Sequence, residues 1–201
     1  MADDKRDDLY ALFLERAGAV SAQVVRVAGY SAAALALADI ISGEKAAKIV
    51  AEPSVMVRKC VDLLREKGVV SIGAPADPGR PALFFDGLRL HAEDAGMGVS
   101  EMAVAVAETG SLAGDCTSME ARLVSTLPPV HVALVPASGL VATPAEAIEL
   151  FYSGGRTPGY LSFVTGPSRT ADIERVLTIG VHGPEKLFII MVDEPGGVGN
   201  G

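Results

Sequence analysis

The feature that most constrains this chain is a repeated succession of short apolar runs and glycine-stopped amphipathic segments. Val130 to Val135 and Leu187 to Val192 are apolar at almost every position, and Gln23–Val27, Lys48–Ala51 and Tyr160–Val164 are shorter runs of the same kind. A strand with one wet face alternates polar and apolar residues. A strand that does not alternate has both faces covered, which is the habit of a parallel sheet lying between helices. The segments between these runs read as helices. Asp3–Ala17 carries Leu9, Leu12, Phe13 and Arg16 at three- and four-residue steps, with Gly18 at its end. Ser31 is placed to cap a helix running to Ile41, with Gly43 as its stop, and a helix after Pro53 sets Val57, Cys60, Val61 and Leu64 on one face before Gly68. Thr143-Pro144-Ala145-Glu146 is a capping box with proline at the first helical position.

The remaining segments complete the expectation. Val69–Ile72 reads as a strand, Gly73–Pro81 as a surface loop, and Leu83–Phe85 with Leu88–His91 as two strands around an Asp86-Gly87 turn. From Val99 the pattern suggests a short helix and then a strand over Ala103–Ala107. Arg169–Leu177 reads as a helix following the Gly166-Pro167-Ser168 turn. No repeat or linker divides the chain, so residues 1–193 are expected to form one α/β domain with a mostly parallel sheet and helices on both faces, and 194–201 a flexible Gly-rich tail.

Composition narrows the function classes. The formal net charge of -8 opposes approach to nucleic acid and to anionic lipid. Residues 1–8 lack the apolar stretch of a secretory signal, and the apolar runs are broken well short of the ~20 residues of a spanning helix. The expectation is a cytoplasmic protein without a membrane span. Only 5% of residues are aromatic although 49% are hydrophobic, so the core must be aliphatic. Cys60 and Cys116 are the only cysteines, too few and too far apart to hold an iron-sulfur cluster, and free thiols are expected in that compartment.

Ligands of parallel α/β sheets collect at the carboxyl ends of strands, which directs attention to strands that run into glycine and polar residues. The first such place is Glu108-Thr109-Gly110-Ser111. A carboxylate here could serve as nucleophile, general base or acceptor for a hydroxyl, or could simply satisfy backbone N–H groups at a bend, while Gly110 admits a close backbone or ligand. The second is Gly166-Pro167-Ser168-Arg169-Thr170-Ala171-Asp172, where hydroxyls, a helix start and a fixed cation suit a carboxylate or phosphate. The plainer reading is Ser168 or Thr170 as an N-cap with Arg169 paired to a neighbouring acid; capping alone explains the hydroxyls but not the cation beside them. The third consists of His131, at the head of an apolar strand after Pro128-Pro129, and His182 between Gly180-Val181 and Gly183-Pro184. His131 fits a structural histidine or a ligand contact, and His182 an acid/base or ligand contact. Two histidines without a third ligand at recognisable spacing do not make a metal site, and Cys116 has no adjacent His or Lys to activate it.

These motifs occur together with Arg122-Leu123-Val124-Ser125-Thr126-Leu127-Pro128-Pro129-Val130-His131 and Gly180-Val181-His182-Gly183-Pro184, in an order and spacing that resemble the lactate utilization protein C family, the LUD-domain proteins. The likeness extends over nearly the whole chain, more loosely before Phe84, and departs from the family over Gly114–Glu120. It implies a three-layer α/β/α fold related to ribose-5-phosphate isomerase and the CoA-transferases. It also implies a part in the oxidation of lactate to pyruvate beside cysteine-rich partner proteins of the same operon. Those partners would carry the iron-sulfur clusters, leaving this chain without a bound cofactor. On that footing the chain is expected to be an accessory or substrate-handling subunit. Thr109, Gly110, His131, Gly166, Ser168, Arg169 and Thr170 would form a binding site for a small carboxylate or phosphate, with Glu108 or His182 as catalytic groups at the substrate hydroxyl. An alternative follows from a fainter likeness of Ala107–Leu112 to the glutamate loop of CoA-transferases, whose glutamate forms an acyl anhydride and then a CoA thioester: on it Glu108 is a nucleophile and the chain an enzyme acting on acyl-CoA or a sugar phosphate. A scaffold without a ligand is the third reading.

Overall fold

The computed structural model describes residues 2–73, 79–153, 157–171, 177–179 and 183–193. In chain order the elements are α1 (Ala2–Ala19), β1 (Ala22–Ala28), α2 (Gly29–Glu44), β2 (Lys48–Ala51), α3 (Val55–Glu66), β3 (Ser71–Ile72), β4 (Ala82–Phe84), α4 (Leu88–His91), β5 (Met97–Glu101), β6 (Val104–Val106), β7 (Ser111–Asp115), α5 (Met119–Thr126), β8 (Val130–Pro136), a 3-10 turn (Ala137–Gly139), β9 (Leu140–Val141), α6 (Pro144–Ser153), β10 (Leu161–Val164), β11 (Arg169–Ala171), β12 (Leu177–Ile179) and β13 (Lys186–Asp193). Seven of these strands form one sheet in the order β1-β13-β8-β5-β2-β4-β3, and every pairing in it is parallel. The mostly parallel α/β architecture expected from the apolar runs is therefore present.

The unbroken apolar character of the central strands follows from burial on both faces. On β8, Val130, Val132 and Leu134 point into a core with α2 and α3, whereas Ala133 and Val135 point into a second core on the opposite face. On β13 the same division separates Phe188, Ile190 and Val192 from Leu187, Ile189 and Met191. Each such fully buried Leu or Ile contributes roughly 1.5–3 kcal/mol of transfer free energy. Helix α3 shows the face read from its sequence, with Val57, Cys60, Val61 and Leu64 all buried and the Ser54 side chain accepting the Val57 N–H at 3.4 Å.

The opposite face is built differently from a plain helical layer. Phe13 and Ala17 of α1 share it with Met102, Ala105 and Leu112, which belong to or border a second sheet of order β10-β7-β6-β9. In this smaller sheet β7 runs antiparallel to β6 and β10, while β9 runs parallel to β6. Helix α6 covers its outer side through Ala147 and Phe151. The capping box forms as read, with Thr143 Oγ1 accepting the Glu146 N–H at 3.3 Å and Glu146 Oε2 accepting the Ala142 N–H at 2.9 Å.

Three local expectations are corrected. Leu88–His91 is a helical turn and not a strand: Gly87 enters it at φ +63°, and the His91 ring folds back to stack on Phe84 at 3.9 Å between centroids. The segment at Val99 is the strand β5 and not a helix, because Ile49 and Ala51 on one side and Val130 to Leu134 on the other pair with it. Arg169–Leu177 does not form one helix, since Arg169–Ala171 pairs antiparallel with Leu177–Ile179. Asp172, His182 with its neighbours Gly180 and Val181, and the 194–201 tail lie outside the described residues.

Candidate functional site

The carboxyl ends of β6, β9 and β10 point the same way, and the loops singled out in the sequence leave two of them. Residues 107–110 turn β6 into β7, closed by the Gly110 N–H donating to the Val106 carbonyl at 2.9 Å. The Ala107 and Glu108 N–H groups continue the pairing onto the Val141 and Ala142 carbonyls at 2.9 and 3.0 Å. The hairpin is thus fixed by its backbone, and the Glu108 side chain is left exposed. Gly110 is required twice over. Its φ is +63°, and a Cβ there would lie 2.3 Å from the Ala17 nitrogen of α1.

The second loop, leaving β10, meets the first. Ser111 is buried and its Oγ lies 2.7 Å from Thr165 Oγ1, a bond in which either hydroxyl can donate. Gly166, at φ +72°, presses on the turn between α1 and β1, where a Cβ would sit 2.4 Å from the Val20 carbonyl oxygen. The Ser168 N–H then donates to the Pro184 carbonyl at 2.8 Å, which ties in the segment leading to β13. Three stretches far apart in sequence therefore converge on one corner. Among the described residues Thr109 Oγ1, buried beside them, has no hydrogen-bond partner.

Position is where the sequence argument needs correcting. The corner lies at the carboxyl ends of the small sheet's strands, but β1 and β13 of the large sheet begin there, so it is the amino edge of the large sheet. With Arg169–Ala171 in a strand, no helix start at Ser168 supplies N–H groups to an anion. Arg169 and Thr170 still follow the turn directly as the first residues of β11.

His131 is sealed in the large sheet and not open to the corner. Its ring is fully buried, its Nε2 lies 2.8 Å from Ser100 Oγ, and its Nδ1 has no partner. Burial lowers its pKa to about 4, so the ring is neutral at physiological pH. Gly98, its partner on β5, packs under α5 so tightly that a Cβ would stand 2.0 Å from the Val124 carbonyl oxygen.

The carboxyl edge of the large sheet holds groups that sequence reasoning passed over. Glu52 leaves β2 and Glu101 ends β5, the adjacent strands from which the chain departs toward opposite faces. The Glu101 N–H donates to Glu52 Oε2, and the Met56 N–H of α3 donates to Glu101 Oε2, both at 3.1 Å. Burial raises the Glu52 pKa, opposed by the backbone hydrogen bond from Glu101 and reinforced by the charges of Glu101 and Asp115. A carboxylate on a first-turn N–H satisfies one of the donors that a helix start leaves open, so this pair latches β2, β5 and α3 together. The signal in the sequence was Glu52 between an apolar run and Pro53-Ser54. Cys60 and Cys116 are free and buried, and burial pushes the Cys60 thiol up to about 11. Among the described residues no group of three or more His, Cys, Asp or Glu is arranged to hold a metal ion, and no helix is long and apolar enough to cross a membrane.

The lactate utilization protein C of Shouchella clausii (strain KSM-K16) is 39% identical over 106 residues, covering 51% of this chain and 46% of that protein. The protein of the same name from Bacillus subtilis (strain 168) is 35% identical over 107 residues, covering 51% of this chain and 45% of that one. The matched part of the chain thus spans about half the length of these relatives. A DUF162 family protein from Deinococcus radiodurans, with a crystal structure at 1.70 Å, superposes with a TM-score of 0.58 over 93% of this chain and 98% of that chain at 19% identity, a likeness of fold. The family model described as LUD domain matches residues 10–192, and the chain belongs to the LUD domain family.

Proposed function

We propose that this chain serves lactate utilization as an accessory or substrate-handling component, working beside iron-sulfur partner proteins. Membership of the LUD domain family and the names of its relatives support the process. The observation that carries a substrate-handling role is the corner tied by Ser111 Oγ and Thr165 Oγ1, where backbone-fixed loops bring Glu108 to Ser111 together with Gly166 to Ser168. In this reading Arg169, with Ser168 and Thr170, takes the substrate carboxylate, because a guanidinium binds a carboxylate through paired charge-assisted hydrogen bonds. Thr109 and Gly110 bound the same site, and Glu108 or His182 accepts the hydroxyl proton. Oxidation to pyruvate also removes the hydrogen on C2, so that two electrons and two protons are lost in all; clusters in the partner proteins would supply the electron acceptor, and the second proton would pass to solvent.

The purified chain, reconstituted with such partners, is expected to oxidise L-lactate with a dye acceptor, and Arg169→Ala should raise the lactate concentration needed. Unchanged kinetics in that variant would reject the carboxylate role. Glu108 as a nucleophile toward acyl-CoA is the competing reading, favoured by an exposed carboxylate on a backbone-fixed hairpin. Incubation with acyl-CoA and intact mass measurement separates the two, since only the competing reading yields a covalent adduct lost in Glu108→Gln. A pure scaffold would tolerate alanine at both positions provided partner binding survives.

A further inference from the structure

Away from that corner, a cavity of about 530 Å3 opens between the C-terminal ends of α2 and α3, below the start of β4. Its walls include Ile41, Val69 and Pro81, and its rim carries Ser42, Lys45 and Arg80, with no acidic residue among the described lining groups. In a chain of net charge -8, two cations around an apolar hollow are conspicuous.

The two cations are not accounted for as helix caps. The carbonyls of Ile41 and Ser42 at the end of α2 already accept the N–H groups of Ala46 and Lys45, each at 3.2 Å. At the end of α3, Leu63, Leu64 and Arg65 accept from Lys67, Val69 and Gly68 at 2.9 to 3.1 Å. Neither the Lys45 ammonium nor the Arg80 guanidinium makes a hydrogen bond or an ion pair with a described residue. Arg80 is half-buried, and its guanidinium lies against Gly68, where a Cβ would stand 3.4 Å from Nη2. Lys45 holds a left-handed conformation at φ 54° that sets its backbone on the same rim. A guanidinium carries five N–H donors, and those of the half-buried Arg80 meet no acceptor among the described residues.

We propose that this cavity binds an organic anion with an apolar body, its carboxylate or phosphate group held by Arg80 and Lys45 and its body against Ile41, Val69 and Pro81. The size lies in the range of small-molecule sites, and the few convergent polar groups on an apolar wall are what such sites present. The inference is independent of the lactate reading, since lactate's single methyl would leave the apolar wall unfilled.

Methyl and amide NMR titration of the full chain with octanoate, octyl phosphate, octanol and inorganic phosphate tests it. Octanoate or octyl phosphate should saturate, moving the Ile41 and Val69 methyl signals, with the tighter of the two naming the head group. Octanol and inorganic phosphate should each bind at least about tenfold more weakly, about 1.4 kcal/mol. Arg80→Gln and Lys45→Gln should each weaken octanoate or octyl phosphate by a similar factor. Ser42→Trp, on an exposed position of α2, should block the cavity while leaving the melting temperature unchanged. Equal binding of octanol, shifts centred elsewhere, or affinity unchanged in both charge variants would overturn the proposal.

Discussion

Gly110→Ala strikes at the contact that sets the corner in place. Two costs combine. A side chain at φ +63° enters the left-handed region, which costs about 1–2 kcal/mol for an ordinary residue. The new Cβ would also lie 2.3 Å from the Ala17 nitrogen and 2.5 Å from the Arg16 carbonyl carbon, so helix α1 must move away from the hairpin. Backbone on backbone cannot yield by a rotamer change, and overpacking of this kind costs about 1–3 kcal/mol. A total near 3 kcal/mol is a large part of a domain stability of about 5–15 kcal/mol, and in a chain of this size it lowers Tm by roughly 6–12 °C. Urea unfolding followed by far-ultraviolet circular dichroism should show a lower midpoint at unchanged slope. Gly43→Ala is the matched control, because Gly43 lies within α2 with nothing inside 4 Å of its Cβ position, and it should stabilise by about 0.5–1 kcal/mol. If Gly110→Ala melts with the wild type, the close approach of α1 to the hairpin is not a determinant of the corner.

Further outcomes follow from the buried groups. His131 has a native pKa of about 4 against 6.5 in the unfolded chain, so the unfolded state binds the extra proton and stability falls as pH drops from about 6.5 toward 4. Between pH 7 and 4.5 this group removes about 2–3 kcal/mol, and a His131→Gln chain should show a correspondingly shallower loss in urea titrations at those two pH values. Ser100→Ala leaves the buried Nε2 unpaired and should cost about 1–3 kcal/mol at pH 7, read from the same titrations. Cys60, buried and with its thiol near 11, should react with a disulfide reagent at pH 8 at least about two orders of magnitude more slowly in the native chain than in denaturant; equal rates would mean the α3 face opens readily.

Much of the secondary structure could be read locally, for a physical reason that each element makes plain. Lys48–Ala51 is a strand, the α3 face from Val57 to Leu64 is buried, and the Thr143–Glu146 box starts a helix, because periodicity and capping are properties of neighbours in sequence. The continuous apolar runs of β8 and β13 likewise announced a sheet covered on both faces, since nothing else keeps such runs from water. The candidate residues Glu108 to Ser111 and Gly166 to Ser168 were also visible as glycine and polar groups at strand ends.

Only the tertiary structure decided what those segments meet. Arg169–Ala171 is a strand because Leu177–Ile179 pairs with it, a choice that helix propensity within the segment cannot register. Leu88–His91 turns helical through the stacking of His91 on Phe84, and Glu52 reaches Glu101 across 49 residues to tie β2, β5 and α3. The loops of the corner were expected at the carboxyl edge of one sheet. They lie at the carboxyl ends of a second, smaller sheet and at the amino edge of the large one, because β9 and β10 join the local β6–β7 hairpin from positions distant in sequence, and alternation alone names no such partner.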